Sequence, residues 1–231
     1  MPDFLINYFR DRLKVVEEPG TEPGPVLTIS RDFGCQAKQI SQELTDRLNE
    51  YHLPIGARNE WLLLSKEIIE KVAQELQTDS KKIDYIFKFE KKTTVDDFIL
   101  SLLSSKQYHS DWKVKETIRK VVSAFAVTGY SIILGRAGAQ ITRDIKDSLH
   151  IRLVAPFDWR VKRIMEKYNL SNKMAIRRVK EMDLNREKLI KTFASEGHCH
   201  ECYDVSFNMK YLTTKEVISD LIHLMQLKKL I

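Results

Sequence analysis

An α/β fold, with a parallel sheet covered by helices on both faces, is predicted by three features of the sequence. Short runs rich in apolar and β-branched residues recur along the chain: PVLTIS at 25–30, YSIIL at 130–134, HIRLV at 150–154 and YDVSFN at 203–208. Longer segments with helical periodicity separate them. Gly (8) and Pro (6) are scarce in 231 residues, which excludes collagen-like and many-turned all-β chains. Strands that alternate with helices pair in parallel through crossovers, and ligands then bind beyond the carboxyl ends of the strands.

The elements follow in order. Residues 1–18 predict an amphipathic helix with Phe4, Leu5, Tyr8, Phe9 and Leu13 near one face, ended by the linker EPGTEPGP at 18–25. The linker sets off residues 1–24 from a main domain, 25–231. Its first strand, Pro25–Ser30, leads to a helix over about Gln39–Glu50. A helical segment is predicted over Glu60–Gln77, followed by a Lys-, Phe- and Asp-rich stretch through Lys113 and a helix over Lys115–Thr128. Gly129 opens the strand Tyr130–Leu134, and GRAGAQITRDI (135–145) reads as a helix. The strand His150–Val154 stops at Ala155-Pro156, where proline bars further pairing. Helices are predicted over Phe157–Tyr168 and Met174–Ala194. A last strand, Tyr203–Asn208, precedes a closing helix, Thr214–Leu227, with Glu216 in its first turn, where an acid suits the helix dipole.

Composition narrows the function classes. With 43% hydrophobic and 30% charged residues the chain has enough apolar surface for a core. No apolar run approaches the ~18 residues of a membrane span. The N-terminus has acids early and no small-residue cleavage site after an apolar stretch, and three cysteines do not make a disulfide framework. The expectation is a soluble, cytoplasmic protein. Its net charge of +6 is local: Arg152–Lys191 holds twelve Lys/Arg against five Asp/Glu, so the rest of the chain is slightly acidic. A confined basic excess suits an anionic partner such as nucleotide phosphates. No nucleic-acid-binding motif accompanies it.

Three stretches fit phosphate chemistry. The first strand runs through SRDFGCQAKQIS (30–41) into a helix, the setting in which backbone amides and a helix N-terminus bind phosphate. Gly34 is the one glycine of that loop, and Lys38 lies four residues on. Gly135-Arg136 ends a buried strand, where a guanidinium can grip a phosphate bidentately. The segment with Arg160, Arg163, Arg177, Arg178, Lys180 and then EMDLNR (181–186) places basic groups three to four residues apart, as a lid over phosphates would need.

The order of these pieces, with SKEII (65–69), IRLVAPFDWRVKRI (151–164), Asp183-x-x-Arg186 and YDVSFN, resembles the cytidylate kinase-like family over roughly residues 25–225. That resemblance implies a P-loop NTPase-type sheet of five parallel strands, an acceptor-side (nucleotide-monophosphate) helical subdomain over about 55–114, and a basic lid over about 157–196. It implies an ATP-dependent kinase with Mg²⁺, acting on a nucleoside monophosphate or another small phosphorylated substrate. Donor phosphates would lie on Arg31 and on Gly34, Cys35, Gln36, Ala37, Lys38 and Gln39. Lys38 would neutralise them, Asp32 would order magnesium or its waters, and Arg136 would hold the acceptor phosphate. Arg177, Arg178 and Arg186 would stabilise charge as the lid closes, with Asp183 orienting Arg186. The chain departs from the family where Cys35, Gln36 and Ala37 replace small flexible loop residues and where Ser65 replaces an Asp. A non-glycine residue held at φ > 0 is strained. These departures motivate a second reading, a nucleotide- or anion-binding module of the same fold without turnover.

Other signals read as structural. HCHEC (198–202) lacks a second, distant ligand pair for zinc, so no metal site is expected there. Cys35 reads as a small filler, and Trp61, Trp112 and Trp159 as packing residues. The N-terminal aromatic helix suits packing on its own domain or on a partner in a homodimer rather than on a membrane.

Overall fold

In a computed structural model of the chain, which describes residues 24–52, 60–65, 119, 122–123, 125–194 and 202–231, five strands pair in parallel. They are β1 (Val26–Arg31), β2 (Leu62–Leu64), β3 (Ser131–Leu134), β4 (Ser148–Val154) and β5 (Val205–Asn208), in the order β2-β3-β1-β4-β5. In the central strands Ile29 stands opposite Leu134 on one side and Ile151 on the other. Helices α1 (Ala37–His52), α2 (Gly138–Ile141), α3 (Phe157–Tyr168), α4 (Asn172–Phe193) and α5 (Thr214–Leu227) complete the described elements.

One face of the sheet is apolar. Leu27, Ile29, Ile132, Leu134, Leu149, Ile151 and Leu153 pack beneath Ile40, Leu44 and Leu48 of α1 and Val217, Ile218, Leu221 and Met225 of α5. The four-residue spacing of 40, 44 and 48 puts one stripe of α1 against the strands. Each fully buried side chain of this kind contributes about 1.5–3 kcal/mol, so truncating Leu44 would open the core directly. Thr213 and Glu216 cap α5 reciprocally, each accepting a backbone N–H of the other's residue.

The opposite face is polar at its centre. Thr28 Oγ1 lies 2.8 Å from His150 Nδ1, and Ser148 Oγ lies 3.1 Å from His150 Nε2. Burial pushes the imidazole below its ordinary pKa, Lys228 adds to that, and Asp204 opposes it. Asp204 Oδ2 accepts the His150 backbone N–H at 2.7 Å, and Lys228 Nζ reaches Asp204 Oδ1 at 3.2 Å. Helix α2 lies on this face: a Cβ added at Gly138 would press on Ile133 and approach Thr28, which requires glycine there.

The two longest basic helices form a hairpin with its own apolar seam, Val161 and Ile164 against Ala175 and Val179. Asn169, left-handed at φ 49°, ends α3, and Ser171 caps α4 by accepting Met174 N–H. Phe33, from the loop after β1, packs into the same seam and ties that loop to the hairpin.

Two expectations are corrected here. Leu62–Leu64, placed in a helix by the sequence, is the edge strand β2 of the described sheet, because pairing with Ser131–Ile133 outweighs the helix propensity of leucine. The segment 135–145 is helical only over Gly138–Ile141, because Gly135, Arg136 and Ala137 are all left-handed, at φ 74°, 55° and 53°. The N-terminal helix, the Lys- and Phe-rich stretch through Lys113 and nearly all of the expected 55–114 subdomain lie outside the described residues. So do Trp112 and His198–Glu201. No helix among the described residues is long and apolar enough to cross a membrane.

Candidate phosphate-binding site

Where β1 ends, the chain makes a tight loop into α1. Gly34 has φ 102°, a conformation that side chains resist, and a Cβ there would come within 3.3 Å of Arg160 Cβ. Gln36 is left-handed at φ 52° without being glycine, at a cost of about 1–2 kcal/mol. Its carbonyl accepts from Gln39 N at 3.0 Å and from Ile40 N at 3.2 Å, which starts α1. The amides of a first helical turn otherwise have no intrahelical partner, so a helix N-terminus suits an anion.

The hairpin holds this loop at one residue. Asp183 Oδ1 accepts Phe33 N–H at 2.8 Å, and Arg160 NH1 donates to Phe33 O at 3.2 Å. Arg160 and Asp183 are also paired with each other, at 2.5 Å. Arg160 Nε donates to Ala155 O at 3.0 Å, so this buried guanidinium joins the ends of β1 and β4 to α4.

Beyond the loop lies a cleft of about 760 Å³ between the loop and the hairpin. Its walls carry Arg31, Lys38, Arg163, Lys167 and Arg186 against two acids, Asp32 and Glu166. The loop residues Gly34, Cys35, Gln36, Ala37, Lys38 and Gln39 all line it. Lys38 and Gln39 are exposed, whereas Cys35 and Ala37 are buried beneath the loop. Burial, reinforced by Asp32, pushes the Cys35 thiol up to about 12, so it is a packing residue and not a nucleophile.

A second, much smaller cleft of about 30 Å³ lies at the ends of β1 and β3. Arg136 lines it together with Ser30, Gln140, Arg31 and Arg186. Arg31 and Arg186 therefore stand between the two clefts. Arg186 NH1 reaches Arg31 O at 3.5 Å, and its guanidinium lies over the Phe33 ring at 5.3 Å. Burial disfavours the charge of Arg186, and Asp183 and Asp32 offset that cost. A Cβ at Gly135 would collide with the Arg31 guanidinium, so glycine there lets that side chain lie over the end of β3.

The structure distributes the expected site residues unevenly. Arg31, Asp32, the loop Gly34–Gln39 and Arg186 share the large cleft, and Arg136 occupies the small one. Asp183 pairs with Arg160 and Phe33 N rather than hydrogen-bonding Arg186, because Arg160 lies deeper and needs the counter-charge. Arg177 and Arg178 are exposed and line neither cleft; Arg178 stacks on Tyr168 at 4.3 Å. Asp32 Oδ1 accepts from Arg152 NH2 at 3.1 Å, a partnership that sequence reasoning missed. It also missed Lys167, although the spacing 160, 163, 164, 167 marks one face of α3.

A strand, a phosphate-type loop at a helix N-terminus, a 2-3-1-4-5 parallel sheet and a basic hairpin thus occur together. The family model for the cytidylate kinase-like family matches residues 26–211. The chain belongs to the cytidylate kinase-like family. Family membership covers every element from β1 to β5, and so both clefts. Among solved structures, an uncharacterized protein from Eubacterium ventriosum is similar, with a TM-score of 0.57 and 19% identity, covering 87% of this chain and 98% of its own. That likeness shows a shared fold. A gluconokinase from Sinorhizobium meliloti has a TM-score of 0.45 at 8% identity, covering 90% and 94% of the two chains. A dephospho-CoA kinase from Campylobacter jejuni has a TM-score of 0.39 at 14% identity, covering 89% and 97%. No curated protein matches the chain in sequence.

Proposed function

We propose that the protein is an ATP-dependent kinase that moves the γ-phosphoryl group onto a nucleoside monophosphate or a related small phosphate acceptor. One observation carries the reading: a cleft large enough for a nucleotide is lined by five Lys/Arg and closes on the helix N-terminus at Gly34–Gln39. Loop amides and Lys38 would hold the donor phosphates. Arg136, which lines the adjoining small cleft, would hold the acceptor's phosphate, with Arg31 and Arg186 neutralising charge between donor and acceptor. An acceptor oxygen would bond to the γ-phosphorus as its bond to the bridging oxygen of ADP breaks. Little covalent chemistry falls to the protein beyond positioning and charge stabilisation. Asp32 lines the cleft, and its second oxygen makes no hydrogen bond among the described residues, so it suits a water of a magnesium ion. Such an ion would supply charge neutralisation at the phosphates.

Purified protein with ATP and Mg²⁺ is expected to phosphorylate at least one nucleoside monophosphate, read as ADP release that depends on the acceptor. ATP binding with no transfer to any acceptor would overturn the kinase reading. It would favour the binding module, which the engagement of Asp32 by Arg152 and the strained, glycine-poor loop support.

A further inference from the structure

Tyr168 is the last residue of α3, 39% exposed, and it belongs to neither apolar cluster, yet it lines the large cleft. The left-handed Asn169 ends the helix immediately after it. The Arg178 guanidinium lies over the ring at 4.3 Å from its centroid, and the ammonium of the exposed Lys167 lies over it at 5.5 Å. Ile164, one turn earlier on α3, and Met182 of α4 line the same cleft, so part of its hairpin wall is apolar. The remaining wall, around Gly34–Lys38, suits phosphates.

We infer that Tyr168, backed by Arg178, is the platform on which the base of the bound nucleotide stacks. The inference rests on the nucleotide reading above and adds the residue that recognises the nucleotide's base. Stacking uses the π-face that every base has, so this platform distinguishes a nucleotide from a bare polyphosphate but hardly one base from another. Arg178, which lines neither cleft, thereby acquires a role: its cation–π contact holds the ring in place.

Calorimetric titration of the full chain with ATP, GTP and inorganic tripolyphosphate tests this. Wild-type protein is expected to bind both nucleotides more tightly than tripolyphosphate. Tyr168→Ala is expected to weaken ATP and GTP by roughly 5- to 150-fold, the cost of losing one base stack, with tripolyphosphate unaffected. Tyr168→Phe retains the ring and is expected to stay within about twofold of wild type. Because the side chain is exposed, the melting temperature of each variant serves as a check on folding. Unchanged nucleotide affinity in Tyr168→Ala, an equal loss for tripolyphosphate, or wild-type tripolyphosphate binding as tight as ATP would each overturn the inference and leave the phosphate site standing. Binding of none of the three ligands would overturn the nucleotide reading along with it.

Discussion

Removing the Arg160–Asp183 pair tests whether the hairpin holds the phosphate loop. The Arg160 side chain is 8% exposed and that of Asp183 30%, so the pair is neither fully buried nor a surface ornament. Breaking a fully buried pair by removing one partner costs about 3–5 kcal/mol. Two facts reduce that figure. Arg160 keeps two backbone acceptors, Ala155 O and Phe33 O, and water reaches the exposed part of Asp183. One fact raises it: Asp183→Ala also strips the acceptor from Phe33 N–H, worth about 1 kcal/mol. The balance for Asp183→Ala is a loss of about 2–3 kcal/mol. In a chain of this size that lowers the melting temperature by about 4–12 °C. Asp183→Asn keeps an oxygen for Phe33 N–H and is expected to cost less. Urea denaturation of Asp183→Asn, Arg160→Met and the double variant forms a cycle that isolates the pair. A coupling of about 1–3 kcal/mol is expected for groups in direct charged contact. A coupling under about 0.5 kcal/mol, the level of independent sites, would refute the argument.

Three further outcomes follow from the backbone and from one buried ring. Gln36→Gly relieves a left-handed side chain at the cost of unfolded-state entropy, so stability in urea is expected to rise by about 0.5 kcal/mol; a fall would show that the Gln36 side chain does more than tolerate its φ. Gly129→Ala places a Cβ on the Gly24 backbone at φ 69°, and is expected to cost at least about 2 kcal/mol in thermal or urea melts, since backbone, unlike a side-chain tip, cannot step aside. His150 is held neutral with its folded pKa below the unfolded value, so the unfolded chain binds the extra proton. Stability is therefore full above about pH 6.5 and falls as pH drops below it, by at most about 1.4 kcal/mol per pH unit. Urea melts of wild type and His150→Asn at pH 7.5, 6.5 and 5.5 should differ in slope in that sense, and parallel pH profiles would remove the assignment.

The sequence made most of the sheet legible because β1, β3 and β4 are buried on both faces and read as continuous apolar runs. It hid β2, since three leucines have no period of their own and the strand exists only through its pairing with β3. At the site, the loop was legible from one glycine between a strand and a helix. The pairing of charges was not. Asp32 with Arg152, and Asp183 with Arg160, join residues 120 and 23 positions apart. Spacing on one helix says which cations share a face, but not which of two faces meets the loop. That is why the sequence points to Arg177 and Arg178 beside the phosphates, whereas Lys167 and Tyr168 line the cleft.

The two clefts meet at Arg31 and Arg186, and that junction constrains any chemistry performed there. Both residues line both clefts, and Arg186 donates to the backbone carbonyl of Arg31 itself. Burial disfavours the charge of Arg186 and Arg160 adds to that, so the arrangement is costly without a counter-charge. Asp183 and Asp32 supply part of that charge for Arg186, and they also pair with Arg160 and Arg152. An anion placed between the clefts would meet cations already assembled there, which is the condition under which positioning becomes electrostatic stabilisation. On the proposed reading, that position belongs to the phosphoryl group in transfer, shared by donor and acceptor. Left-handed strain clusters in the same place: Gln36, Arg136 and Ala137 are three of the six non-glycine residues with positive φ among those described. Strain of about 1–3 kcal/mol per residue persists only where surrounding structure enforces it. Here the strained residues lie in the loops that follow the neighbouring strands β1 and β3.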